Sequence, residues 1–244
     1  MTELRARIGL IIPSSNRLTE PHFHRYAPEG VQTNVTRLRM TGPHRVPVLD
    51  LLPKIAEAAE MLADARCDVI VFHCTASSTE SGRDAEARVV QTIGDATGVH
   101  ATTTGSALLG ALGALGARRL VALSPYMEEA SAREIAFLAE AGLDVVRDRS
   151  LNLPGSDEYL AVTPDDWLRL IEEEADPTAD AYLLSCTNIH TMEIIEPAER
   201  SVGRPVVASN QATLWTCLRM CGLQDEVPGL GALFGLDLPH PVAA

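Results

Sequence analysis

Positive charge is scarce in this chain: 20 Lys and Arg stand against 33 Asp and Glu, a net charge of −13. Nucleic-acid binding needs clustered cations, so this balance argues against a nucleic-acid partner. It also provides no long-range attraction for an anion, so any anion site must be local. Long apolar runs are missing as well. The longest weakly polar run, residues 107–117, is broken by glycine and falls far short of the ~20 residues of a spanning helix, so no membrane partner is expected. Residues 1–7 lead straight into a strand pattern with no signal-peptide core. Five cysteines, Cys67, Cys74, Cys186, Cys217 and Cys221, form no compact framework and are expected to be reduced thiols of a cytoplasmic protein. His22, His24, His73, and His190 with Glu193 do not make an H-E-x-x-H pattern, and neither a Walker A sequence nor a G-x-S-x-G elbow occurs. Gly110, Gly113 and Gly116 repeat at three-residue spacing inside a helical pattern, which is not a dinucleotide turn. A reaction needing no cofactor and no metal is the expectation.

What the chain does have is an ordinary globular composition, 46% hydrophobic and 22% charged over 244 residues. Near-continuous apolar runs at 6–12, 68–72, 119–123 and 181–185 read as parallel strands covered on both faces. Weaker strands are expected at 31–39, 99–103, 143–147 and 205–208. Helical patterns fall at 48–65, 80–96, 105–115, 127–141, 164–175, 191–202 and 212–221. The alternation means an α/β fold, either one eightfold barrel or two open four-stranded sheets. Internal similarity favours two sheets. Pro13 and Pro125 follow equivalent strands, Cys74 and Cys186 end equivalent strands, and each pair is 112 residues apart. Residues 98–107 also align with 203–212. The acidic stretch 165–180 reads as a solvated helix face, and 238–244 as a loosely held tail.

Cys74 and Cys186 are the strongest chemical signal. Each closes an apolar strand and precedes small hydroxyl residues: Cys74-Thr75-Ala76-Ser77 and Cys186-Thr187-Asn188. Ligands of open parallel sheets bind beyond the strands' carboxyl ends, where the next helix begins with free N–H groups. A thiol there is expected to have a depressed pKa, beside a cradle for a carboxylate. Cys67, Cys217 and Cys221 read as packing residues. Pro13-Ser14-Ser15-Asn16 with Glu20 follows the first strand; it suits a capped turn or a set of donors to a carboxylate. Pro125-Tyr126 holds the matching place in the second repeat, where a phenol could face an anion or simply pack. His73 is expected to pack.

Together, Pro13-Ser14-Ser15-Asn16, Cys74-Thr75, Pro125-Tyr126 and Ser185-Cys186-Thr187-Asn188 resemble the maleate cis–trans isomerases of the aspartate/glutamate racemase superfamily, relatives of the arylmalonate decarboxylases. The likeness spans about residues 6–222. It implies two Rossmann-like halves related by a pseudo-twofold axis, residues 1–112 with 209–244 against 113–208, with the active site in the cleft between them. It implies that Cys74 adds as a thiolate to maleate, or a close cis-butenedioate, and that Cys186 exchanges a proton with the neighbouring carbon. Ser14, Asn16, Thr75, Ala76, Tyr126, Thr187 and Asn188 are the candidate substrate contacts. A small dicarboxylate substrate and a homodimer follow by the same analogy. Decarboxylases carry Gly at the position of Cys74, and racemases tend to have Cys-Thr-His where this chain has Cys186-Thr187-Asn188. The sequence Ala76-Ser77-Ser78 departs from the isomerase pattern. A two-thiol amino-acid or hydantoin-type racemase, an arylmalonate-type decarboxylase and a small-acid binding protein are the alternatives.

Overall fold

The computed structural model describes residues 3–238, in which strands and helices alternate throughout. The first half runs β1 (Ala6–Pro13), α1 (Thr19–Tyr26), β2 (Val31–Leu38), α2 (Leu52–Asp64), β3 (Val69–Phe72), α3 (Thr75–Thr79), α4 (Gly82–Thr97), β4 (His100–Thr103) and α5 (Thr104–Ala114). The second runs β5 (Arg119–Ser124), α6 (Glu128–Glu140), β6 (Asp144–Ser150), α7 (Ser156–Ala161), α8 (Pro164–Glu173), β7 (Ala181–Leu184), α9 (Ile195–Val202), β8 (Val206–Ala208) and α10 (Ser209–Met220). Every expected strand is present. The expected helices are present too, whereas α1, α3 and α7 lie outside the expected spans, and α10 begins three residues before its expected start.

The strands form two separate four-stranded sheets, ordered β2-β1-β3-β4 and β6-β5-β7-β8, with every pairing parallel. This excludes the barrel. The repeat extends to hydrogen bonds. Asp68 Oδ2 accepts the Arg7 N–H at 2.7 Å, and Asp180 Oδ2 accepts the Arg119 N–H at 2.8 Å, the two clasps being 112 residues apart.

Alternate side chains of the central strands face two different layers, as a two-residue period requires. Ile8, Leu10, Ile12, Val69, Val71, Leu120 and Leu183 point into one shared core with α5 and α10. Ile11, Ile70 and Phe72 point outward under α2 and α4, while Val121, Leu123 and Leu184 do so under α8 and α9. Each such Leu or Ile, fully buried, stabilises by about 1.5–3 kcal/mol. Gly9 sits where α2 crowds β1, for a Cβ there would lie 3.1 Å from Cys67 Sγ and 3.2 Å from Leu62. The acidic helix α8 buries Trp167 and Ile171, starts at a Thr163–Asp166 capping box and turns acidic side chains outward. No described helix is long and apolar enough to cross a membrane.

After α10 the chain doubles back. The buried Arg219 guanidinium donates to the carbonyls of Leu223, Phe234 and Leu236, strapping that segment down. Leu238, expected to begin a loose tail, packs against the shared core, while 239–244 lie outside the described residues.

Candidate active site

The two cysteines sit one step further along than expected. β3 ends at Phe72 and β7 at Leu184, because pairing with β4 and β8 stops there. One more extended residue follows in each half: the His73 N–H donates to Ile11 O and the Ser185 N–H to Leu123 O, both at 2.8 Å. Cys74 and Cys186 come next, in the turn beyond the strand. Both line one cavity of about 1170 Å³ at the carboxyl ends of the central strands. Ser14 and Asn16 enter it after β1, Thr75 and Ala76 after β3, Tyr126 after β5, and Thr187 and Asn188 after β7. The cavity thus gathers all nine candidate residues. Glu20 points elsewhere and pairs with Arg37.

The backbone differs at the two thiols. Cys74 is extended, at φ −153°, and leads into the five-residue α3. Cys186 has φ +145°, a value side chains rarely adopt and one costing on the order of 1–3 kcal/mol. Its N–H donates to Ser209 Oγ at 3.1 Å, and its sulfur accepts the Asn188 N–H at 3.3 Å. No α-helix starts behind it: a turn leads to a short 3₁₀ segment, Met192–Ile194. The helix N-terminus expected beneath each thiol therefore exists only at Cys74, and there it is short.

The expected depression of the thiol pKa values is reversed. Cys74 is 7% exposed and Cys186 6%, and desolvation penalises a thiolate. Burial pushes the Cys74 thiol up; the Ser77 hydroxyl and N–H oppose this, Glu80 adds to it and Arg45 counters it. Burial pushes Cys186 further, to about 12, against the Asn188 N–H and the Tyr126 hydroxyl; Cys74 and Glu134 add to the rise. Tyr126 is itself held well above its ordinary value by burial and by Cys186, Glu134 and Cys74, so it stands as a neutral donor to the Cys186 sulfur. Tyr159 meets Tyr126 edge to face at 6.2 Å in the same cavity wall. Glu134, buried behind this half, accepts from Ser185 Oγ at 2.6 Å, and burial raises its carboxyl to about 7.

Several polar side chains are already engaged. Asn16 Nδ2 donates to Thr187 O and Oγ1, both at 3.1 Å, while its Oδ1 accepts the N–H groups of Leu18 and Thr19. Thr75 Oγ1 donates to Ser209 Oγ at 2.9 Å, so one α10 hydroxyl bridges Thr75 and the Cys186 backbone. Asn188 Oδ1 accepts the Arg17 N–H at 2.8 Å.

Sequence reasoning missed Arg45, Glu134, Tyr159, Ser209 and Asn210. Arg45 is a local cation beside Cys74: it lines the cavity with Arg17 and Arg133, half exposed and 3.5 Å from Glu80. The alignment of 98–107 with 203–212 did hold a signal for Ser209 and Asn210, since it set them opposite Thr104 and Gly105 at the start of α5.

Cys67, Cys217, His22 and His73 are accounted for by packing and hydrogen bonding. Cys67 and Cys217 are buried in apolar clusters. His73 packs edge to face on Phe23, and burial lowers its pKa to about 4. It also forms hydrogen bonds, at 2.8 Å to Asn210 Oδ1 and 3.0 Å to Thr104 Oγ1. Among the described residues one group has metal-like spacing: ligand atoms of His22, His190 and Glu193 lie within 4.8 Å of one another. Asn210 argues against an ion there. Its Nδ2 faces Thr187 O, which can only accept, and the same Nδ2 lies 2.8 Å from His22 Nδ1. His22 Nδ1 is then the acceptor, and Nε2 carries the proton toward Glu193 Oε1 at 3.1 Å.

Known proteins share this architecture. The arylmalonate decarboxylase family profile matches residues 8–234. Arylmalonate decarboxylase of Bordetella bronchiseptica is 32% identical over 187 residues, covering 75% of this chain and 78% of its own length. Maleate isomerase of Geobacillus stearothermophilus is 28% identical over 93% of this chain and 96% of its own. Among solved structures, a mutant maleate cis–trans isomerase of Nocardia farcinica with a covalently bound succinylcysteine intermediate superposes with a TM-score of 0.85 at 25% identity, over 94% of this chain and 98% of that one. Maleate isomerase Iso of Pseudomonas putida S16, with maleate, gives 0.87 at 24% identity, over 94% and 97%.

Proposed function

The chain belongs to the arylmalonate decarboxylase family, and we propose that within it this enzyme is a cis–trans isomerase that converts maleate, or a close cis-butenedioate, to the trans form without a cofactor. One observation carries the reading: two buried thiols, one from each repeat and each just beyond a central strand, line the same cavity.

Rotation about a carbon–carbon double bond is blocked until the bond becomes single. A thiolate achieves this by adding to one alkene carbon. Cys74 fits that role, because the Ser77 hydroxyl and N–H both donate to its sulfur and Arg45 opposes the effect of the nearby Glu80. Its addition sends the alkene electron pair onto the adjacent carboxylate as an enediolate. Cys186, held protonated by burial, Cys74 and Glu134, then gives its proton to the neighbouring carbon. The result is a succinyl thioether on Cys74. After rotation, the Cys186 thiolate takes that proton back, the carbon–sulfur bond breaks, and fumarate leaves with Cys74 restored. Enediolate charge would be met by donors among the Ser14 and Thr187 hydroxyls and the Asn188 amide, together with the Thr75 and Ala76 N–H groups and Arg45. Asn16, the Thr75 hydroxyl and Tyr126, already engaged, hold their neighbours in place. The succinylcysteine of the Nocardia farcinica isomerase supports this intermediate. With α10 counted to the first half, as 1–112 plus 209–244, the reaction occupies the cleft between the halves.

The decarboxylase reading has its own support in the 32% identical Bordetella bronchiseptica protein; Cys74 opposes it, as those enzymes carry Gly there. Both are tested by proton NMR of the purified protein. With maleate, the alkene signal is expected to shift to that of fumarate, while an arylmalonate stays intact. Unchanged maleate, or loss of carbon dioxide from the arylmalonate, overturns the proposal.

A further inference from the structure

The sulfur of Cys186 rests on a single peptide group, the one joining Thr187 to Asn188. The N–H of that peptide donates to Cys186 Sγ at 3.3 Å. Its carbonyl oxygen, on the opposite edge, faces three donor side chains: Asn16 Nδ2 and Asn210 Nδ2, both at 3.1 Å, and Thr19 Oγ1 at 3.3 Å, whose one hydrogen is nearer to this oxygen than to Asn210 Oδ1 at 3.5 Å. A carbonyl has two lone pairs, so three donors is crowding. All three donor residues are buried. They come from the turn after β1, from α1 and from α10, so the first half and the last helix reach together into the second half's cysteine turn.

Asn210 is itself locked. Its Oδ1 receives His73 Nε2–H, while its Nδ2 also serves His22 Nδ1. His73 in turn accepts from Thr104, and His22 donates to Glu193. The amide cannot flip without breaking this chain, and so its two hydrogens stay on Thr187 O and His22. Donors on a carbonyl draw electron density from the peptide and strengthen its own N–H as a donor; hydrogen bonds in series reinforce one another by roughly 10–30% each.

We propose that Asn210 and Thr19, with Asn16, are positioning residues for Cys186: by holding and polarising the Thr187 carbonyl they aim the Asn188 N–H at the sulfur and ease formation of its thiolate. The proposal rests on Cys186 being the proton-exchanging thiol. It gives the strained φ of Cys186 a reason, because only that turn brings the N–H under the sulfur. The titratable groups facing the sulfur from other elements are the Tyr126 hydroxyl, Cys74, Glu134 and Tyr159, and the variants below leave all four in place.

The experiment reads each thiol directly. The full-length protein is treated with iodoacetamide at pH 8, and labelling rates at Cys74 and Cys186 are followed separately by peptide mass spectrometry. Below its pKa a thiol's rate tracks its thiolate fraction, so half a pH unit is roughly a threefold change. Thr19→Val, nearly isosteric, is expected to slow Cys186 roughly threefold and leave Cys74 unchanged; Thr19→Ser restores the wild-type rate. Asn210→Ala is expected to slow Cys186 more. Should that variant not fold, Thr19→Val decides. An unchanged Cys186 rate overturns the proposal. So does faster labelling of both cysteines, the mark of a site merely loosened. Unchanged maleate in the NMR assay would remove the isomerase reading, whereas this measurement addresses the thiol alone.

Discussion

The two halves repeat one strand order, one Arg–Asp clasp and one thiol just beyond the third strand, yet they surround that thiol differently. In the first half Cys74 sits on relaxed extended backbone, with Ser77 donating to its sulfur and a paired Glu80 and Arg45 nearby, the carboxylate raising the thiol and the guanidinium opposing it. In the second, Cys186 sits on strained backbone, with a peptide N–H and Tyr126 on its sulfur and a buried carboxyl behind it. Duplication accounts for where the sulfurs stand; the loops account for what each can do. Two identical thiols would compete for one role, but a thiol raised by burial and one pushed up to about 12 in different surroundings can divide into nucleophile and acid.

Breaking the comparison on its nucleophile side has the largest expected effect. Cys74→Ser leaves a far weaker nucleophile, so maleate turnover is expected to fall by at least about 10³-fold by alkene-proton NMR, with the fold intact by circular dichroism.

A smaller effect is expected from removing the charge behind the acid. Glu134 has a folded pKa of about 7 against 4.5 for an ordinary glutamate. A carboxyl raised on folding contributes its stability below pH 4.5 and loses it as pH climbs through about 7. Glu134→Gln removes that dependence. The variant is expected to match the wild type near pH 4.5 and exceed it above pH 7, by no more than about 3 kcal/mol in denaturant melts. A variant less stable than wild type at pH 8 would contradict the burial argument.

Much of this was legible in the sequence, for identifiable reasons. Strands buried on both faces must be apolar at every position, so Val69–Phe72 and Ala181–Leu184 announce themselves. Equal spacing of Pro13 with Pro125 and of Cys74 with Cys186 disclosed the duplication, and the family resemblance supplied the set of nine residues that meet in one cavity. Helix α10 was harder: the apolar pattern places its start at 212, and the packing shows the polar Ser209, Asn210 and Gln211 buried in its first turn, tying the halves together. Helices α1 and α7 are short and lack a long apolar stripe. The thiol pKa values were misread because a helix N-terminus is visible in sequence and desolvation is not. Arg45 lay in a loop with no pattern to connect it to Cys74.

The division of labour between the sulfurs is tested most directly by trapping the adduct. Cys186→Ala and Cys74→Ala proteins are each incubated with maleate, digested and mapped by mass spectrometry. A succinyl-type adduct is expected on Cys74 of the Cys186→Ala protein, with Cys186 of the Cys74→Ala protein unmodified. An adduct on Cys186, or none on Cys74, would contradict the assignment of nucleophile and acid.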